Sequence, residues 1–247
     1  MENEEYGKLF EVEGFHWFYA GKREIARLLI SRLFPDRAIR HLDAGCGSGI
    51  LVRELGEAHR SFGVDASPSA LVHAKQIRCA LGAMGSLPFE SGSFDCATSF
   101  DVLEHLEDDR KGLAELVRVT RPGGFVLVNV PAFRCLWSDW DEALHHKRRY
   151  TKQSFCGIVA VDEVVVQSLF YLNPALFFPI LIYRWARRLF PRIFARRLED
   201  AVPSPRVNAL LRKLFVAPVR WNLQCLPFGT SLFAILKKRD QGCPRLR

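Results

Sequence analysis

The stretch His41-Leu-Asp-Ala-Gly-Cys-Gly-Ser-Gly49 constrains this chain more than any other. An apolar run ends in Asp43, glycines follow at positions 45, 47 and 49, and a helical pattern begins at Ile50. Glycine at alternate positions suits a backbone that must turn tightly and let a ligand approach it closely. The helix beyond offers free N–H groups and the positive end of its dipole. The dinucleotide fingerprint G-x-G-x-x-G would need glycine at position 50, where this chain has Ile. A nucleotide-dependent oxidoreductase is therefore the weakest reading of the motif.

Around this stretch, short apolar runs alternate with helical patterns. Strands are expected at residues 40–44, 61–65, 78–83, 94–100 and 125–130. Helices are expected at 15–33, 50–58, 68–76 and 109–120. In the first helix Ile25, Leu28, Leu29 and Leu33 share one face, and Pro35 stops it. Such alternation predicts a parallel sheet with right-handed crossovers. Two more strands are read at 163–171 and 230–237, separated by about 58 residues rich in Pro, Phe and Arg. That spacing far exceeds an ordinary connection. Residues 1–171 with 229–240 are thus expected to form the main domain, and 172–228 a mainly helical insertion.

With 49% hydrophobic and 25% charged residues among 247, the chain can bury a core and is not of disordered composition. Its seven cysteines form no C-x-x-C pair. They read as scattered thiols in a reducing compartment rather than a disulfide framework, and no metal site is expected from their spacing. Residues 1–10 are polar and acidic and carry no secretory pattern, so a cytoplasmic protein is expected. Charge is uneven: residues 164–247 hold 15 Lys and Arg against three Asp and Glu, net +12, while the rest holds 20 against 24, net −4. Such asymmetry points to a membrane surface, an anionic substrate or nucleic acid.

Further motifs follow in order. Gly63-Val64-Asp65 closes the second strand, where a carboxylate can accept hydrogen bonds from both hydroxyls of a ribose; the alternative is a turn residue before Ser67-Pro68. Leu87-Pro-Phe-Glu-Ser-Gly-Ser-Phe-Asp95 leads into the fourth strand, and Phe100-Asp-Val-Leu-Glu-His105 leaves it. Arg121-Pro-Gly-Gly124 reads as a structural turn before the fifth.

This series, over residues 40–130, resembles the class I S-adenosylmethionine (SAM)-dependent methyltransferases, in particular the type 11/12-like members. The resemblance implies an α/β fold: a Rossmann-like, seven-stranded, mostly parallel sheet with an antiparallel last strand, plus the insertion before that strand. It implies SAM as cofactor. Asp43, Gly45, Cys46, Gly47 and Gly49 would wrap its amino-acid part, with the Asp43 carboxylate near the ammonium. Asp65 and Ala66 would hold the ribose, and Phe100 and Asp101 would line the cleft after the fourth strand. Many members carry an Asp for the adenine amino group where this chain has Ala83, which leaves the backbone near Met84 and apolar contact from Met84 and Leu87.

A methyl acceptor needs alignment with the methyl group and, for O–H or N–H, a base. His105 is the first candidate by position, and His145 and His146 are the others. The run Trp137 to Tyr150 lies on the ligand side of the sheet, and Asp141, Arg149 and Tyr150 are read as acceptor contacts, with Arg as the clamp for phosphate or carboxylate. Trp17, Tyr19 and Arg23 are read as a lid, with Tyr19 reaching the acceptor, or as packing against the sheet. The His146–Thr151 stretch is similar to one found in bacterial methyltransferases of glycan, cell-envelope and natural-product pathways. The implied function is O- or N-methylation of a small-molecule or lipid- or glycan-linked acceptor. The rivals are an RNA or protein methyltransferase, and a non-catalytic docking module of the same fold.

The insertion supplies the partner readings. Residues 169–183 are apolar but too short to span a bilayer, and Asn173, Pro174 and Pro179 interrupt them. Arg184, Arg188, Arg192 and Arg196 recur every four residues, with Trp185, Leu189, Ile193 and Phe194 off that stripe, and residues 206–215 repeat the theme. One reading is an interfacial helix at the inner membrane face. The other is a cap that packs its apolar side on the catalytic domain and solvates its arginines. Nucleic acid comes third, because no RNA-binding module is present and the aromatics are not spaced as stacking platforms.

Overall fold

Strands covered on both faces read as apolar runs, and three of the five such runs read up to residue 130 are followed by helical patterns. In the computed structural model the described residues are 7, 10–74, 78–160, 162–190, 192–193, 202–221 and 226–240. Along the chain come α1 (Trp17–Leu33), β1 (Arg40–Ala44), α2 (Ile50–Gly56), β2 (Arg60–Asp65), α3 (Pro68–His73), β3 (Cys79–Leu81), β4 (Phe94–Phe100) and α4 (Asp109–Val119). They are followed by β5 (Thr120–Pro131), α5 (Asp139–Ala143), α6 (Lys152–Cys156), β6 (Val164–Leu172), α7 (Phe177–Leu189), α8 (Pro205–Arg220) and β7 (Ser231–Lys238).

The seven strands form one sheet in the order β3-β2-β1-β4-β5-β7-β6. Neighbours from β3 to β5 are parallel, and β7 inserts antiparallel between β5 and β6. The Rossmann-like, mostly parallel sheet with an antiparallel last strand is therefore the observed architecture. Two strands differ from the sequence reading by more than one residue at an end. β3 is shorter, and β5 begins at Thr120, so Arg121–Gly124 is no free turn but an irregular stretch of the strand. Phe94 pairs with Thr120 and Cys96 with Phe125, and the register shift between them absorbs the extra residues. Gly123, at φ 72°, makes that shift without strain. Gln76, Phe194, Arg196, Cys225 and Cys243 lie outside the described residues.

Side chains alternate across the sheet. Val126 and Val128 join the core under α4 and α6, with Leu113, Leu116 and Phe155. Leu127 faces the other core, built by α1, α2 and α8 from Ile25, Ile30, Leu51, Phe215 and Val219. Thus α8, from the stretch read as an insertion, fills the core beside α1. Gly21 permits the approach: a Cβ there would sit 2.6 Å from the Phe215 ring. Asn208 ties the pair, accepting from the Trp17 amide (2.7 Å) and donating to the Phe15 carbonyl (2.8 Å).

The arginines of α7 turn toward the body of the protein, the reverse of the cap that was one of the two readings of this stretch. Arg184 donates to the Leu136 carbonyl, Arg188 to the Trp137 carbonyl (2.6 Å), and Arg187 pairs with Asp139 (2.7 Å). The opposite face, Phe178, Ile182, Trp185 and Leu189, is 52–71% exposed.

Candidate active site

The glycine loop lies at the carboxyl ends of β1 and β2, where ligands of open α/β sheets bind. Gly45, Gly47 and Gly49 all have left-handed backbone, at φ 85°, 53° and 76°. A Cβ on Gly45 would come within 2.2 Å of Val102 Cγ2, so the loop rests directly on the turn that leaves β4. Asp65 fixes the loop from the side, one carboxylate oxygen accepting from the Gly47 amide (2.9 Å) and the other from the Ser67 amide (2.8 Å). Both expected roles of Asp65 are thus compatible: it organises the turn, and each oxygen keeps a lone pair for a ligand hydroxyl.

Asp43 is buried at the end of β1 and accepts a hydrogen bond from Thr98 Oγ1 (2.6 Å). Burial pushes its pKa up to about 7, with Thr98 opposing the shift. A buried carboxylate held near its neutral point, beside a loop of amides, is suited to a ligand that brings a positive charge. The cradle fits the amino-acid end of SAM on this ground, and on the room that only glycines leave.

The remaining expected cofactor residues fall into three groups. Cys46 and Ala66 flank the loop; Cys46 is buried with its sulfur 3.7 Å from that of Cys79, and Ala66 is exposed. Met84 and Leu87 sit in the core under β4 instead, where Met84 packs against Gly112 of α4 and the Leu87 amide donates to Glu115 (2.8 Å). Phe100 and Asp101 stand at the end of β4, and Asp101 takes a left-handed φ of 57° that a non-glycine residue adopts only when its surroundings enforce it.

Part of that enforcement comes from Lys22 of α1, which pairs with the Asp101 carboxylate. Lys22 is 4% exposed, and its ammonium lies 3.6 Å from the centre of the Phe18 ring. Burial lowers its pKa, with Asp101 opposing. Glu13 is a second residue the sequence reading missed: its carboxylate reaches within 3.8 Å of where a Gly47 Cβ would stand. Arg23 holds this segment over the loop by donating to the carbonyls of Glu13 (2.6 Å) and Gly14 (2.9 Å). Neither residue belongs to a motif, because each acts through folding back of the N-terminal segment. Tyr19, half-buried, lies in the same aromatic group as His16 and Phe18.

The acceptor residues read from the sequence form an interior network. Asp141 accepts from Arg149 (2.7 and 3.0 Å), from His146 Nδ1 (2.9 Å) and from the Ser138 amide (2.8 Å). Tyr150 is buried and donates to Asp109 (2.8 Å). His105 and His146 meet edge to face with ring centres 4.7 Å apart. His145 is exposed, in left-handed backbone, and stands apart from that pair. Near both paired histidines lies Glu104, fully buried, which the sequence reading passed over.

Comparison with known proteins agrees with this geometry. Residues 42–128 match the family model described as a methyltransferase domain. A malonyl-[acyl-carrier protein] O-methyltransferase of Erwinia pyrifoliae is 35% identical over 111 residues, covering 43% of this chain and 42% of that protein. The chain thus spans less than half the length of this relative. Among solved structures, a chain from the complex of the Haloferax volcanii Trm112 methyltransferase activator with a methyltransferase superposes with a TM-score of 0.63 at 18% identity, covering 98% of this chain and 97% of that one. Haemonchus contortus phosphoethanolamine N-methyltransferase 2, in complex with S-adenosyl-L-methionine, gives 0.56 at 18% identity, covering 87% and 52%. At such identities the two structures speak for the fold alone.

Proposed function

The chain carries a class I SAM-dependent methyltransferase domain, and from that premise we propose that it methylates the oxygen or nitrogen of a small-molecule or lipid- or glycan-linked acceptor. The observation that carries the proposal is the pair of carboxylates, Asp43 and Asp65, that end adjoining parallel strands on either side of the glycine loop. One is buried and has no cationic partner among the described residues; the other is already oriented by two amides. SAM, when bound, supplies an electrophilic methyl on a sulfonium. Asp43 would then meet its ammonium and Asp65 its ribose hydroxyls, with Glu13 and Arg23 closing the loop from above.

What this chain's residues contribute is alignment and exclusion of water. The Lys22–Asp101 pair fixes the turn after β4, and the Asp141 network fixes the loop carrying His146. A lipid- or glycan-linked acceptor is favoured by the outward apolar face of α7, since an interfacial helix of that kind would bring the cleft to a membrane surface. Among the described residues no helix is long and apolar enough to cross a membrane.

Calorimetry with SAM on the wild type and on Asp65→Ala tests the reading. Micromolar binding that collapses in the variant is expected. A folded wild type that binds no SAM overturns it.

A further inference from the structure

We infer that Glu104, His105 and His146 form a binding site for one divalent transition-metal cation. The first observation is electrostatic. Glu104 is completely buried, and neither of its carboxylate oxygens has a hydrogen-bond partner. Buried carboxylates are stable when paired, hydrogen-bonded or coordinated to a metal. The two cations that act on Glu104 are committed elsewhere, Lys22 to Asp101 and Arg149 to Asp141.

The second observation is geometric. One donor atom from each of Glu104, His105 and His146 can be chosen so that all three lie within 4.8 Å of one another. His146 Nε2 is 4.0 Å from Glu104 Oε1, too far for a hydrogen bond. Two ligands each about 2.1 Å from one cation lie about 3–4 Å apart, so the gap suits a shared ion.

The third observation is the support behind each histidine. His146 Nδ1 is engaged by Asp141 at 2.9 Å, which turns Nε2 toward Glu104. His105 is hydrogen-bonded to the backbone of Leu144. A carboxylate or carbonyl behind each ligating imidazole is the usual outer support of a metal site.

Two imidazoles and one carboxylate suit Zn²⁺, Fe²⁺, Co²⁺ or Mn²⁺ rather than the all-oxygen cages of Ca²⁺, and three protein ligands leave positions open. The site belongs to the turn whose Val102, two residues before Glu104, touches the glycine loop. An acceptor hydroxyl bound there would lose its proton to water at a lower pH than when free, its oxygen keeping the electron pair and staying on the metal. This consequence rests on the methyl-transfer reading; the metal binding does not.

The test is calorimetric titration of chelator-treated, full-length protein with Zn²⁺, and with Co²⁺ monitored by its visible absorption. SAM binding and thermal melting are measured on the same preparations. About one equivalent of Zn²⁺ is expected, with affinity lowered at least tenfold to a hundredfold in Glu104→Gln and in His146→Ala. Glu104→Gln should melt no lower than the metal-free wild type, because neither Glu104 oxygen has a hydrogen-bond partner to lose. Absence of stoichiometric binding by folded wild type overturns the site, as does binding that both variants retain. Zn²⁺ binding with these dependences but without SAM binding would uphold the metal site and sink the methyltransferase reading instead.

Discussion

Asp141 and Arg149 face each other as a two-pronged ion pair, Nε to Oδ1 at 2.7 Å and Nη2 to Oδ2 at 3.0 Å, with Asp141 wholly out of contact with solvent. The sequence offers both as acceptor contacts; their geometry makes them the frame on which the loop before α6 is built. Burial opposes the Asp141 charge, yet His146 and Arg149 together hold its pKa below the ordinary carboxylate range.

Truncating Asp141 should therefore cost stability first. Asp141→Ala leaves a buried guanidinium uncompensated, a loss of about 3–5 kcal/mol. For a chain of this size that is a Tm lower by about 6–20 °C. Because the folded pKa is depressed, this stabilisation is complete above the unfolded value of about 3.9 and disappears as pH falls below it. The gap between thermal melts of wild type and Asp141→Ala should be smaller at pH 3 than at pH 7. Equal melting at pH 7 would show that the pair carries no stability.

Asp43 gives the opposite sign. Its folded pKa, about 7 through burial, lies above the unfolded value. The ligand-free protein should thus lose stability from this group as pH rises from about 4 to 7. SAM binding should show the complementary trend. The neutral acid attracts an ammonium poorly, so affinity should fall as pH drops from 8 to 6, and Asp43→Asn should bind weakly at both values. Calorimetry at the two pH values decides it; a flat profile in the wild type would place the Asp43 charge outside the binding interaction.

These two carboxylates mark how far the sequence could be read. Asp43 and Asp65 were legible because strand, glycine loop and helix are contiguous, and local spacing alone sets their geometry. All seven strands were legible as short apolar runs, even where a long stretch separates the last two. Glu104 was not, although it adjoins His105 in the chain: its significance comes from burial, and from His146 arriving across the sheet from a loop over 40 residues later. Lys22 and Glu13 depend on α1 folding back over the carboxyl ends of the strands. Periodicity alone leaves the orientation of α7 open between two readings, because what decides it are the carbonyls and Asp139 that its arginines find in the loop after β5.

That orientation makes a prediction about surfaces. Phe178, Ile182, Trp185 and Leu189 recur at helical spacing on the outward side of α7, and the last third of the chain is strongly basic. Such a face should bind vesicles containing anionic lipid more tightly than neutral ones, and salt should weaken the binding. Ile182→Glu with Leu189→Glu should reduce co-sedimentation severalfold while leaving the Tm within about 1–2 °C, since exposed positions carry little folding energy. Wild-type protein that stays in the supernatant with anionic vesicles would remove the membrane from the proposal.

The contact between α1 and α8 decides whether the second half of the insertion belongs to the folding unit. Phe215 is fully buried between Trp17, Phe18 and Gly21, and Asn208 satisfies backbone groups of residues 15 and 17 at the start of α1. If α8 folds together with the sheet, Phe215→Ala should cost about 3–5 kcal/mol. Asn208→Ala, which removes a cap-like bond, should cost about 1 kcal/mol. Both variants should melt in one transition, because the core they weaken also holds Leu127 and Phe233 of the sheet. The N-terminal segment should loosen as well, since α1 carries Arg23, and SAM affinity should drop even though neither residue approaches the glycine loop. A Phe215→Ala protein with unchanged melting and unchanged SAM affinity would show that α8 is an appendage, and that the cofactor cleft is held without it.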